Sequence, residues 1–234
     1  MKKWLLLLLL IPKLAWGVVA SDNFNRTENP LASGWLSETD ITNTALQATG
    51  STVEIVTAGS GNVGCYYYNS ISPGADQFSE IQIPVMNNNG FDEVVAIVRT
   101  VTTSGGTYLA RLEINSGTPY EEDIFSYDTT NGYKFYVTNG SPAAWVAGDT
   151  LRLTVSGSVT PILNMYRISG GVATLVNTYT IVPATDAVLT SGKPGFCLGV
   201  DTDVTNTQVD NWRGGDGDGT ITPVVAVRHH PILQ

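Results

Sequence analysis

The chain has 234 residues, with 12 Lys+Arg against 21 Asp+Glu, a formal charge of −9, and only two histidines, His229 and His230. An acidic chain without a basic cluster is a poor partner for nucleic-acid phosphates. The lack of histidine in residues 1–228 removes His-based metal cages and Ser-His-Asp triads from that span. With 42% hydrophobic and 14% charged residues, the chain has the composition of a folded protein, long enough for one domain of about 200 residues or two of about 100.

At the N-terminus, Lys2 and Lys3 precede an unbroken apolar run over residues 4–11, closed by Pro12, and the stretch to Ala20 ends in small residues. This is the three-part pattern of a secretory signal over residues 1–20, with Val18 and Ala20 at the −3 and −1 positions of a cut before Ser21. The run is shorter than the ~20 residues needed to cross ~30 Å of hydrocarbon, so a membrane-spanning protein is not expected. The alternative is an uncleaved N-terminal strand or anchor. Residues 1–20 hold three Lys and no acid, so residues 21–234 carry 9 basic and 21 acidic residues, a net −12. Export would put the protein outside the cell, or on a virion if phage-encoded.

Beyond Ser21, no segment holds helical apolar spacing for more than two turns, and period-two alternation recurs instead. In chain order the candidate strands are 52–57, 64–69, 78–85, 93–102, 108–114, 133–138, 151–155, 161–169, 172–181, 194–200 and 207–213. In the fifth, Tyr108, Ala110, Leu112 and Ile114 alternate with Leu109, Arg111 and Glu113. Residues 93–102 are apolar on both parities, as expected of a central strand covered on both faces. Gly-, Asn- and Pro-rich turns separate the segments, among them Ser60-Gly-Asn, Asn131-Gly and Ser191-Gly-Lys-Pro194. About a dozen short strands without an internal repeat predict an all-β fold, an antiparallel jelly-roll sandwich of two sheets forming one domain over residues 21–213. Gly214-Gly-Asp-Gly-Asp-Gly219 reads as a linker, and residues 220–234 as a tail or added strand.

Five motifs, in order, carry a family resemblance: D-N-F-N-R-T-E-N-P-L-A-S-G-W at 22–35, A-D-Q-F-S-E-I-Q-I at 75–83, A-G-D-T-L-R-L-T-V-S-G at 147–157, L-T-S-G-K-P-G-F at 189–196 and V-D-N-W-R-G-G-D at 209–216. Over roughly 22–216 the chain resembles concanavalin A-like, laminin-G-like jelly rolls of bacterial secreted and phage structural proteins. The resemblance implies two curved sheets with the first and last strands paired. It implies no single activity, since the fold hosts lectins, glucanases and adhesion modules. Phe24, Trp35 and Trp212 then read as packing residues, and Arg26 as the partner of an unnamed carboxylate.

Glucanases of this fold carry E-x-D-x-x-E on one strand. Glu121-Glu-Asp-Ile-Phe-Ser126 departs from that pattern; Glu113, Glu122 and Asp123 could converge, but a solvated loop beside Pro119 is the expectation. On this reading the protein is not an enzyme. If the resemblance holds, pairing of the terminal strands brings Asp22 to Asp210, a pair of hard oxygen donors for a structural calcium. Cys65 and Cys197, the only cysteines, either form a disulfide in an exported protein or remain two buried thiols. Sugar recognition needs aromatic faces and a few fixed polar groups, which makes Arg99, Arg111, Tyr136 and Trp145 the candidate ligand residues. The alternative is that Arg99 caps a carboxylate such as Glu113 and that the tyrosines pack. The β-branched segment 220–234 suits strand addition to a second copy, or to a virion or filament partner. The first expectation is a non-catalytic exported module for a glycan or cell-surface polymer. The second is an assembly subunit of a phage particle or extracellular filament, and the third a glycoside hydrolase.

Overall fold

The computed structural model describes residues 17–86, 91–101, 105–115, 118–140, 142 and 144–219. Among these residues the chain forms sixteen strands and no helix. They are β1 (Val19–Asp22), β2 (Thr27–Glu28), β3 (Trp35–Ser37), β4 (Leu46–Thr49), β5 (Val53–Ile55), β6 (Val63–Tyr68), β7 (Gln77–Met86) and β8 (Phe91–Val101), followed by β9 (Gly106–Asn115), β10 (Thr118–Asp128), β11 (Gly132–Asn139), β12 (Thr150–Ser156), β13 (Ile162–Ser169), β14 (Val172–Thr180), β15 (Lys193–Gly199) and β16 (Thr207–Asp216). Every pairing is antiparallel.

One sheet has nine strands in the order β14-β13-β12-β7-β16-β5-β4-β2, with β1 added beside β16; the other has seven, β11-β10-β9-β8-β15-β6-β3. The two sheets bury a common core. It takes one parity of each strand, including Val94, Ala96 and Val98 of β8, Tyr108, Ala110 and Leu112 of β9, and Leu151, Leu153 and Val155 of β12. Because side chains alternate across a strand, the opposite parity of the central seven-stranded sheet must face outward. There it forms a second small cluster of Cys65, Tyr67, Val95, Ile97, Leu109, Phe125 and Cys197. Residues 93–102 are apolar on both parities for this reason.

The alternation of the sequence does not disclose five of these strands, β1 to β4, all four residues or shorter, and β10, and of them only β1 is implied by the resemblance. Too few residues alternate in the short ones to show a period. Pro119 argued against β10, yet it sits at a register shift against β9, and β11 pairs β10 only from Glu122 onward. A proline without an amide hydrogen is tolerated at such a bulged, one-sided position.

The terminal strands do pair, Val19 with Gly215 and Asp22 with Trp212. The segment read as a linker from 214 is therefore strand as far as Asp216. Its glycines serve close approach: a Cβ on Gly214 would enter the Trp212 ring, and Gly215, at φ +155°, lies against the Val18 carbonyl. Residues 1–16 of the expected signal and the whole 220–234 tail lie outside the described residues. Among the described residues no helix is long and apolar enough to cross a membrane.

Candidate functional site

The outward parity of β8 to β11 sets chemistry-bearing residues in rows across the sheet. Glu93, Glu113 and Glu121 are direct neighbours on β8, β9 and β10, and Val95, Arg111 and Asp123 form the next row. Ile97, Leu109, Phe125 and Phe135 form a third, and Tyr127 faces Tyr133 beyond it. The face thus grades from carboxylates, through one arginine, to aromatic rings.

Arg111 is the centre. Its Nε donates to Asp123 Oδ2 at 2.7 Å, and its Nη2 contacts the same oxygen. Nη1 lies 2.8 Å from Glu113 and 3.5 Å from Glu93, and Nη2 lies 3.4 Å from Glu121. One guanidinium therefore serves four carboxylates, leaving a formal surplus of three negative charges when all are ionised. Burial pushes the Glu93 and Glu113 carboxyls above the usual carboxylate range. Arg111 offsets part of that, while neighbouring acids add to it. The surplus is eased when one of these groups holds a proton. Oδ1 of the fully buried Asp123 has no hydrogen-bond partner, and carboxylate oxygens of Glu113, Glu121 and Asp123 lie within 4.8 Å of one another.

The aromatic side is partly open. Phe125 and Phe135 stack at 5.0 Å with their planes 24° apart, and the Arg111 guanidinium lies 5.6 Å from the Phe135 ring centre. Phe135 is 52% and Tyr133 51% exposed. Burial beneath this edge, with the nearby Glu93 charge, pushes the Tyr133 phenol up to about 12. At the opposite end Phe91 meets Tyr120 edge-on at 5.6 Å, beside the carboxylates. Beside the Phe125 and Phe135 stack lies a recess of about 270 Å³ bounded by Glu93, Arg111, Phe125, Tyr133, Phe135 and the cysteine pair. Its floor is tied by a disulfide between Cys65 and Cys197, which face each other on β6 and β15.

The other residues singled out from the sequence lie elsewhere. Arg99 is fully buried; its guanidinium donates to the carbonyls of Ala75, Leu189 and Gly157 and neither caps Glu113 nor reaches a ligand. Parity would have put Arg99 on the outer face. A bulge between Val98 and Val101, with Arg99 at φ +54°, removes it from the alternation. Trp145 is core rather than exposed platform, its Nε1 donating to buried Glu122 Oε1 at 2.6 Å. Tyr136 is half-buried, stacked on Tyr179 at 4.5 Å and hydrogen-bonded to Ser126 at 2.8 Å. Only Arg111 of the four lies at the recess.

Asp22 lies close enough to Asp210 to help raise the Asp210 carboxyl, after burial. Both Asp22 oxygens are already engaged, however: Oδ1 accepts from Phe24 N and Arg26 Nη1, and Oδ2 from Arg26 Nη2 and Trp35 Nε1, all at 2.6 to 2.9 Å. A cation there would compete with the Arg26 guanidinium. The only group of three clustered acidic ligands among the described residues is Glu113, Glu121 and Asp123. The set expected from the sequence is Glu113, Glu122 and Asp123 beside a solvated loop; strand β10 replaces that loop and brings Glu121, not Glu122, to Glu113. Alternation on β10 turns Glu122 to the opposite side, and the signal that was available is the Glu121-x-Asp123 spacing opposite Glu113.

No family model and no curated protein sequence matches the chain. Solved structures are similar to it. They include a carbohydrate-binding module, CBM66, from Bacillus subtilis (TM-score 0.52, 16% identity, covering 76% of this chain and 91% of that one). Another is the CBM2 module of the evolved Dit of Lactobacillus casei BL23 phage J-1 (TM-score 0.55, 10% identity, 88% and 99%). A third is a Bacillus licheniformis β-glucanase (TM-score 0.51, 14% identity, 86% and 99%). These likenesses are likenesses of fold. The β-glucanase overturns the expectation that the protein is not an enzyme: this fold accommodates catalysis, and the absence of one strand motif does not exclude it.

Proposed function

We propose that this concanavalin A-like jelly roll binds carbohydrate on the outer face of its seven-stranded sheet, and that its ligands are neutral rather than acidic sugars. The observation that carries the reading is the recess in which half-exposed Phe135 and Tyr133 stand beside the Arg111 carboxylate cluster. Aromatic faces take the apolar side of a sugar ring, and fixed acceptors take its hydroxyls. The surplus of carboxylates repels uronic acids, so Arg111 holds the acids in place rather than receiving an anionic ligand. The carbohydrate-binding modules among the similar structures support the same reading. The disulfide supports an oxidising, extracellular setting.

Calorimetric titration with neutral β-glucan and oligogalacturonate fragments tests this. Binding is expected for a neutral glycan and not for the uronate. Phe135→Ala is expected to weaken affinity about tenfold, or ~1.4 kcal/mol, with little change in Tm. Absence of binding to every neutral glycan on a broad array would overturn the reading.

A second reading, hydrolysis at the same face, is favoured by one observation: Glu113, Glu121 and Asp123 converge, with the Glu113 carboxyl held above its ordinary range by burial. Glycoside cleavage uses two carboxyls, one of them made a weaker acid by its surroundings. Release of reducing sugar by the wild type, lost in Glu113→Gln while binding persists, is its expected signature. No release from any bound glycan would dismiss it.

A further inference from the structure

We infer that the export signal is cut between Gly17 and Val18, so that the mature chain begins with the free amine of Val18 set against the Asp216 carboxylate. The inference rests on the export reading of the leader and is independent of the glycan site.

The edge of β16 shows which product completes the sheet. Val18 N donates to Asp216 Oδ2 at 2.7 Å, and Asp216 N donates back to the Val18 carbonyl at 2.8 Å. β1 then continues in register, Val19 opposite Gly215, Ala20 opposite Gly214, Ser21 opposite Arg213 and Asp22 opposite Trp212. Ala20 also packs against the main core. A cut before Ser21 would discard Val18, Val19 and Ala20, half of β1 and both Val18 bonds, and leave the edge of Gly214 and Gly215 bare. A cut after Gly17 keeps all of them.

The leader's own residues allow that cut. Ala15 and Gly17 are small and stand at its −3 and −1 positions, as the peptidase requires, with Trp16 between them. The site of the new terminus is also chemically prepared. Asp216 Oδ1 accepts from Gly74 N, and Oδ2 faces Val18 N. In the uncut chain that donor is a neutral amide. After the cut it is an ammonium, which adds a full opposite charge to a bond whose acceptor is already a carboxylate. In the uncut chain Gly17 lies against the same residue: a Cβ placed on it would stand 2.6 Å from Asp216 Cβ. The peptidase acts on the chain before it folds, so the cut and the fold agree without either causing the other.

The test is intact-mass and N-terminal analysis of the protein exported from a bacterium carrying the full gene. The expected N-terminus is Val18; a start at Ser21, or retention of Met1, overturns the inference. Gly17→Leu supplies a second arm. It spoils the −1 position of this cut alone and leaves Val18 and Ala20 untouched for the other. Processed product is expected to fall at least tenfold; unchanged processing of that variant would overturn the inference as well.

Discussion

Of the arginine–carboxylate clusters among the described residues, those of Arg26 and Arg111 are built on opposite accounts of charge. Near the N-terminus, Arg26 pairs with Asp22 and Glu28, and each Asp22 oxygen receives two donors. Burial alone would raise the Asp22 carboxyl, but the bonds from Arg26, Trp35 and Phe24 hold it below its ordinary range. On the outer face, Arg111 stands among four acids, and burial with mutual repulsion pushes Glu93 and Glu113 the other way. Matched donors and acceptors stabilise a fold. A surplus of acceptors at an open recess is what a hydroxyl-rich ligand can use. The Asp22 hub is thus a clasp that ties β1 to the aromatic core of Phe24, Trp35, Phe196 and Trp212, and the Arg111 cluster is an unfinished network.

Asp22→Ala gives the largest expected effect. It removes both Asp22 bonds of Arg26, leaving that charge only Glu28, and leaves the buried Trp35 indole nitrogen without an acceptor, at a cost of about 3 kcal/mol. For a domain of this size that lowers Tm by roughly 6–12 °C. Glycan affinity at the recess should be unchanged. Thermal unfolding and calorimetry on one preparation check both halves, and a fall below about 2 °C would mean that the hub is not a stabilising clasp.

The contrast between the clusters also shows how much the sequence discloses. The fold was legible: alternation, turn residues and the D-N-F-N-R and V-D-N-W-R segments pointed to an antiparallel sandwich with paired ends. Arg111 was legible from its parity in β9. The rest of the cluster was not, because Glu93, Glu113, Glu121 and Asp123 come from three strands and meet only through register, which one sequence does not display. Arg99 misled for a related reason. A single bulge removes it from the alternation that served for Arg111. Trp145 misled because a nearby glycine turn resembles exposure, whereas the buried carboxylate that receives its indole hydrogen lies on β10.

Acidity separates the two clusters in a single experiment. Asp22 and Glu28 have lowered folded-state values, so their stabilisation is complete above the ordinary carboxylate range and is lost as pH falls through and below it. Glu93 and Glu113 have raised values. The folded state holds their protons more tightly than the unfolded state, so their contribution falls as pH rises from the ordinary Glu value through the raised one. Tm is therefore expected to fall as pH rises from the ordinary Glu range towards neutrality and beyond, and to fall again as pH drops below the ordinary carboxylate range. A Tm that rises steadily from pH 5 to pH 8 would mean that the Arg111 cluster is not over-charged.

Glu113→Gln sharpens the same point with the smallest change. Glu113 has a like charge directly opposite on each side, Glu93 on β8 and Glu121 on β10, against one bond of 2.8 Å to Arg111. Like charges facing each other across strands cost a few tenths to about 1 kcal/mol, and the amide still offers Arg111 an oxygen. The variant should melt about 2 °C above the wild type at pH 7. The gain should vanish near pH 4, where the wild-type carboxyl already carries its proton and resembles the amide. Equal gains at both pH values would trace the effect to packing. A loss at pH 7 would mean that the Arg111 bond outweighs the repulsion, and the recess would then be matched in charge like the Asp22 hub rather than open to a ligand.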